Sequence, residues 1–199
     1  MRLLSVDFQH DFVSPGGAHY RGQPCVEFVL TTVVPFARQH GVAIAEIVSD
    51  YRDPDGDGDA TCVPGHWGYE SAIPADVKPA APWVKASIAP TWVRDGGGRA
   101  DVAPGPPRPD PAGFAAWLTT TLGPPDPSEP VVLMGLVLEV CVLATLIELR
   151  LRGYPATVLV EGVDTYDGDQ RRKHDFLDTL ATFWGRPVTW SQCAAALAS

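Results

Sequence analysis

Val131-Val132-Leu133-Met134-Gly135-Leu136-Val137-Leu138-Glu139-Val140-Cys141-Val142 is the stretch from which the fold can be read. Its first four residues are apolar without alternation and stop at a glycine, as a strand covered on both faces does. Val140 to Arg152 then suits a long apolar helix, with Gly153 at the C-terminal end, where a left-handed residue is wanted. A buried strand running straight into a helix is the repeating unit of a parallel sheet.

The same unit recurs on either side. Leu3 to Val6 is a buried-strand candidate ending at Asp7, and a helix with Val26, Val29, Leu30, Val33 and Val34 at helical spacing follows from about Cys25 to Gln39. Val42 to Val48 and Trp83-Val84-Lys85 read as further strands, Phe114 to Leu122 as a helix, Thr157 to Val160 as a strand, Gln170 to Phe183 as a helix and Val188-Thr189-Trp190 as a last strand. The expected architecture is a single α/β domain over residues 1–199, a three-layer α/β/α sandwich with a mainly parallel sheet of about six strands. Ser49 to Pro82 is mostly loop, and the Pro- and Gly-rich stretch from Asp95 to Pro111 reads as a surface insertion.

Bulk properties exclude several functions. With 199 residues, 45% of them hydrophobic, the chain can bury one substantial core. A net charge of −9 argues against a nucleic-acid partner; the one basic run, Arg171-Arg172-Lys173, lies between Asp169 and Asp175 and reads as a solvated helix face. No segment approaches the ~20 apolar residues of a membrane span, and the N-terminus does not read as a signal peptide. Cys25, Cys62, Cys141 and Cys193 are far apart with no C-x-x-C pair, so reduced thiols and a cytoplasmic location are expected.

In an open parallel sheet, ligands sit beyond the carboxyl ends of the strands. That rule selects Asp7, Asp50, Lys85 and the segment from Gly135 to Cys141. Cys141 falls in the first turn of a helix, where unpaired N–H groups and the positive end of the dipole favour a thiolate and can receive an oxyanion. An isolated helix-start cysteine is more often a packing residue. Asp7 and Lys85 add weight because each puts a charge at the end of an apolar strand, which is costly unless the charges are paired. Spacing alone does not show that they converge.

Ser5-Val6-Asp7-Phe8-Gln9-His10-Asp11-Phe12 with Pro15-Gly16-Gly17, then Val84-Lys85-Ala86-Ser87, then Gly135 to Thr145 with Cys141-Val142 inside it, resemble in order the three motifs of the isochorismatase-like cysteine hydrolases, among them nicotinamidases and N-carbamoylsarcosine amidases. The resemblance implies Cys141 as nucleophile, Asp7 as general base, and Lys85 holding Asp7 and stabilising the thiolate. It also implies an oxyanion hole from the N–H groups of Val137 and Cys141, with a cis peptide at Leu136–Val137. The expected activity is hydrolysis of a C–N bond in a small amide, carbamoyl or ureido substrate through a thioester. Isochorismatase-type vinyl ether cleavage and a non-catalytic binding module are the alternatives. A receiver-type signalling domain is disfavoured, since it would want paired acids at strand 1 and a phosphoacceptor Asp on strand 3.

Several positions depart from the motifs. The metal-binding nicotinamidases carry D-x-H after strand 2 and a second His before a Cys, whereas this chain has Asp50-Tyr51-Arg52 and Thr61-Cys62. No metal and no other cofactor is therefore expected. Arg52 reads either as a receptor for a substrate carboxylate, suited to its planar fork, or as a solvated loop arginine. The run from Asp53 to Gly58 imitates a calcium loop, but the twelfth residue is Pro64 where a bidentate Glu is needed, so it reads as an acidic loop. Phe12, Trp67 and Trp92 are candidate aromatic walls of the substrate pocket, with ordinary core packing as the competing reading. His10 and His66 are loop histidines that either touch substrate or are merely polar surface.

The helix from Val140 to Arg152 carries Leu143, Leu146, Ile147, Leu149 and Leu151, too many apolar positions for one stripe. A single layer of helices leaves its outer side wet unless another chain, or the 95–111 insertion, covers it. A homo-oligomer, most simply a two-fold dimer, is expected. Light scattering at low micromolar concentration should return the mass of at least two chains; the mass of one chain would refute it.

Overall fold

The computed structural model describes residues 1–53 and 60–198. Most of the run from Asp53 to Gly58 lies outside the described residues. The chain opens with β1 (Arg2–Val6) and a single turn, α1 (His10–Val13). Next come α2 (Pro24–Phe28) and α3 (Val34–His40), joined into one continuous helix by a π-turn at Val29–Val33. The π-turn stands directly before Pro35, which has no N–H to give to the preceding turn. Gly41, at φ 65°, closes this helix.

After β2 (Ile44–Ser49) and a long loop, β3 (Trp83–Lys85) completes that half of the sheet. A short antiparallel ribbon of β4 (Trp92–Val93) and β5 (Arg108–Pro109) pins both ends of the 95–111 region, and α4 (Pro111–Leu122) follows at once. The second half is β6 (Val131–Leu136), α5 (Leu143–Leu151), β7 (Ala156–Asp164), α6 (Gln170–Phe183) and α7 (Trp190–Leu197).

All pairings in the main sheet are parallel, in the order β3-β2-β1-β6-β7. Side-chain alternation sorts the sheet's apolar residues into two cores. Leu4, Val6, Ala45, Ile47, Leu133 and Val158 meet α4, α5 and α6 on one face. Leu3, Ile44, Val132, Met134 and Leu159 meet the α2–α3 helix and α7 on the other. The three-layer reading therefore holds.

The sheet has five strands, not six. Val188 makes one parallel bridge to Leu159, donating to the Val158 carbonyl and accepting from the Val160 N–H, and goes no further. Pro187 offers no N–H ahead of it, and Thr189 behind it is already the N-cap of α7, closed by a capping box with Gln192. The chain cannot extend a strand and start a helix at the same residues.

The strand order reverses at β1: the chain moves outward to β2 and β3, then returns to lay β6 on the other side of β1. That is the switch point at which such sheets open a crevice. Gly135 makes the closeness of β1 and β6 possible there. It lies beside Val6 in register, at φ 126°, and a Cβ on it would run into the Val6 carbonyl oxygen. Gly135→Ala should therefore destabilise the fold by about 4 kcal/mol or more, a clash with backbone plus a forbidden φ. Thermal melting of the variant checks this; a melting temperature equal to that of the parent would contradict the account.

Candidate active site

Four strand ends supply the floor of the crevice. Asp7 follows β1, with φ 54° and its N–H bonded to the Ile47 carbonyl at 2.9 Å. Ser49 ends β2, and Lys85 ends β3 directly beside it in register. On the other side of β1, Cys141 sits in a π-turn, Leu138–Val142, that opens the helix continued by α5. That helix starts two residues earlier than the sequence indicates. A cis peptide joins Leu136 and Val137, and Val137 is the helix N-cap.

These residues form one polar cluster. Lys85 Nζ is 2.9 Å from Asp7 Oδ2 and 3.5 Å from Cys141 Sγ. The Ser49 hydroxyl donates to Asp7 Oδ1 at 2.7 Å and accepts from Lys85 at 2.7 Å. Lys85 also donates to the Tyr51 hydroxyl and to the Ser87 carbonyl at 3.2 Å. Asp7 and Lys85 are buried to within 1% of full burial, and Cys141 is 8% exposed. The structure thus brings Asp7, Lys85 and Cys141 together.

Burial foremost, then the Asp7 charge, pushes the Cys141 thiol up to about 12, with Lys85 and a Tyr51 hydrogen bond pulling the other way. The resting sulfur is a thiol at neutral pH. Burial works against the Lys85 ammonium, but Asp7, Cys141 and Tyr51 outweigh it and hold the amine well above its ordinary value. Burial, then Asp7, drives the Tyr51 phenol well up, so it stays protonated.

A cavity of about 240 Å³ opens onto the sulfur. Its walls are largely apolar: Phe12, Ile88, Leu136, Val137 and Val140, with Tyr166 at the rim and His19 and Gln23 as polar points. Phe12 and Val137 are where the sequence suggests. Trp67 and Trp92 are not. Trp67, 48% exposed, stacks on His10 with ring centroids 4.7 Å apart and lines a separate cleft with Asp11 and His66. Trp92 is tied into the β4–β5 ribbon opposite Pro109, away from the cavity lining.

Arg52 is also corrected. Its guanidinium grips both oxygens of Asp50, at 3.0 and 2.8 Å, and donates to the carbonyls of Gly96, Arg99 and Val102. With its donors spent on the protein and 8% of its surface exposed, it pins the 95–111 insertion and has nothing left for a substrate carboxylate.

Tyr51, Ser49, His19, Gln23, Ile88 and Tyr166 belong to the site and escape the sequence reading. Ser49, Tyr51 and Tyr166 stand at or just past the carboxyl ends of β2 and β7, so the strand-end rule reaches them once uncharged residues are allowed to count. Ile88 has no such signal. Gln9, within the first motif, holds the floor in place: its amide bonds the Ser49 carbonyl and N–H and the Tyr69 carbonyl at 2.7–2.9 Å.

No family model and no curated protein matches the sequence. Solved structures do match. A nicotinamidase/pyrazinamidase from Bacillus subtilis superposes with a TM-score of 0.65 at 16% identity, covering 95% of this chain and 100% of that one. An isochorismatase family protein from Desulfovibrio vulgaris gives 0.65 at 18%, covering 100% and 98%. The chain has the isochorismatase-like fold. A pyrazinamidase of Pyrococcus horikoshii, solved in complex with zinc, gives 0.64 at 19% identity, covering 95% and 98%. Within the isochorismatase-like fold of this chain, the position after β2 does not fit a metal: Asp50 is neutralised by Arg52 and further bonded by the Gly98 N–H at 3.0 Å.

Because burial and the Asp7 charge hold Cys141 as a thiol at neutral pH, its alkylation by iodoacetamide should speed up about tenfold for each pH unit between 7.5 and 9.5, one pKa unit being a factor of ten in thiolate. Mass spectrometry of the modified peptide reads this out. A rate already level across that range would contradict a thiol pushed up to about 12.

Proposed function

We propose that this protein is a cysteine hydrolase that cleaves the C–N bond of a small amide, carbamoyl or ureido compound through a thioester on Cys141. One observation carries the reading: a thiol, a carboxylate and an ammonium from three separate strand ends meet within 3.5 Å steps at the floor of an apolar cavity. The fold's solved relatives named as nicotinamidases and pyrazinamidases support the same chemistry.

In this reading the Cys141 proton passes to Asp7 as the sulfur attacks the substrate carbonyl. The N–H groups of Val137 and Cys141, at a helix start where they have no acceptor within the helix, receive the oxyanion. Asp7 returns the proton to the departing nitrogen as the C–N bond breaks, leaving the acyl group on sulfur. Water, giving a proton to Asp7, then attacks the thioester carbonyl; the C–S bond breaks and the sulfur takes that proton back. Lys85 keeps its own proton throughout and steadies whichever of Asp7 or Cys141 carries the negative charge. No step runs through a metal.

The cavity adds a limit on substrate. Its lining carries no free cation among the described residues, and Arg52 is committed elsewhere, so the substrate body is small and not anionic. The protein acts without nucleic acid or membrane partners and as a homo-oligomer; no described helix is long and apolar enough to cross a membrane.

The deciding experiment is an ammonia-release screen over small uncharged amides, carbamoyl and ureido compounds, with Cys141→Ala as the blank. At least one compound should be turned over by the parent and not by the variant. Asp7→Asn should then lose ~10²–10⁴-fold in turnover with its fold intact, the usual worth of a general base. Release of ammonia by the Cys141→Ala protein at the parent's rate would end the proposal.

A further inference from the structure

The Tyr51 hydroxyl has more neighbours than its place in a loop requires. It accepts from Lys85 Nζ, lies 3.2 Å from the Ser87 carbonyl oxygen and 3.6 Å from Cys141 Sγ, and borders the cavity. The same ammonium is 4.6 Å from the ring centroid, on the hydroxyl side. The hydroxyl has one proton and two acceptors within reach of it, a carbonyl and a sulfur.

We infer that Tyr51 is a catalytic residue of this site, its O–H a switchable hydrogen-bond donor to the sulfur of Cys141. The inference rests on the reading of Cys141 as the nucleophile. In the resting state the thiol is a poor acceptor, and the Tyr51 proton points at the Ser87 carbonyl. When the sulfur becomes negative, in forming and again in leaving the thioester, it is the better acceptor, since hydrogen bonds to charged groups are roughly twice as strong as neutral ones. A rotation about the C–O bond redirects the proton. Ser87 is not left without a donor by the change, because the Lys85 ammonium, shared among its neighbours, stays 3.2 Å from the same carbonyl.

No proton leaves the phenol in this scheme. Burial and Asp7 hold the phenol protonated, and the transferred proton remains the one that Asp7 handles. Tyr51 thus does for the sulfur what oxyanion donors do for the carbonyl oxygen: it waits, already oriented, where charge will appear.

The competing account is a prop, with Tyr51 merely filling space beside Lys85. Tyr51→Phe separates the two, since phenylalanine keeps the ring and removes only the donor. The readout is the rate of Cys141 alkylation by iodoacetamide at pH 9, followed by peptide mass spectrometry with Cys141→Ala as the site control. A donor role predicts a fall of about tenfold, the lower range for a hydrogen bond to a charged group; a rate equal to or above that of the parent overturns the inference. Should the phenylalanine variant fail to fold, 3-fluorotyrosine at position 51, a stronger donor of the same shape, should speed alkylation, and an unchanged rate overturns the inference equally. The assay uses no substrate, so a failed amide screen with slowed alkylation removes only the proposed function. An active enzyme whose Tyr51→Phe form alkylates like the parent removes only the role of Tyr51.

Discussion

An ammonium and a carboxylate 2.9 Å apart, both out of reach of water, are the interaction around which this protein is arranged. Burying such a pair costs several kcal/mol per ion unless further hydrogen bonds satisfy what the pair leaves over. The Ser49 hydroxyl bridges Asp7 and Lys85, and with Tyr51 and the Ser87 carbonyl also in reach the three ammonium protons have more acceptors than they can fill. Each of the first three groups comes from a different strand, β1, β2 and β3, and they meet only because those strands are adjacent, parallel and in register at their carboxyl ends. A slip of one residue in any of them would turn one partner toward the opposite face. The ion pair is compensated by the sheet, and the sheet's register is constrained by the ion pair.

A second pair solves a similar problem one loop further out. Asp50 is fully buried just past β2, and Arg52 answers it with a bidentate fork. The remaining guanidinium donors reach three carbonyls of the 95–111 region, which has little secondary structure of its own beyond the β4–β5 ribbon. One arginine therefore neutralises an acid and fastens an insertion. The same commitment withholds a cation from the cavity.

The fold was legible from the sequence because its strands are apolar without alternation, a pattern that few other architectures produce. The exception, Val188, shows the limit: Thr189, in the middle of the residues that read as strand, Val188-Thr189-Trp190, opens a capping box with Gln192, and the helix start prevailed over propensity. Asp7 and Lys85 stood out because charge at the end of a buried strand needs explaining, and Cys141 because it begins a helix. Tyr51 did not, since a tyrosine in an acidic loop raises no question until its neighbours are known. Trp67 and Trp92 misled for the converse reason: large aromatics suggest a wall, but which surface an exposed loop ring covers depends on loop paths that no periodicity encodes. Ile88, which does line the cavity, is an ordinary residue whose role comes wholly from where β3 leaves it.

Charge neutrality connects the ion pair to the chemistry. With the thiol and phenol protonated, the cluster of Asp7, Lys85, Cys141 and Tyr51 carries one positive and one negative charge. Ionising Cys141 by losing its proton to solvent would leave a net negative charge in a buried site, which is why burial and Asp7 push that thiol up to about 12. Handing the same proton to Asp7 costs no net charge: the negative charge moves from oxygen to sulfur while Lys85 remains within reach of both. In the proposed mechanism a thiol that resists ionisation toward water is thus an effective nucleophile toward a carbonyl in the cavity, because the proton has a place to go that preserves the balance. The resistance also protects the sulfur, as a neutral thiol reacts slowly with oxidants and stray electrophiles. Burial, which alone would make Cys141 inert, becomes compatible with reactivity through the carboxylate at the end of β1.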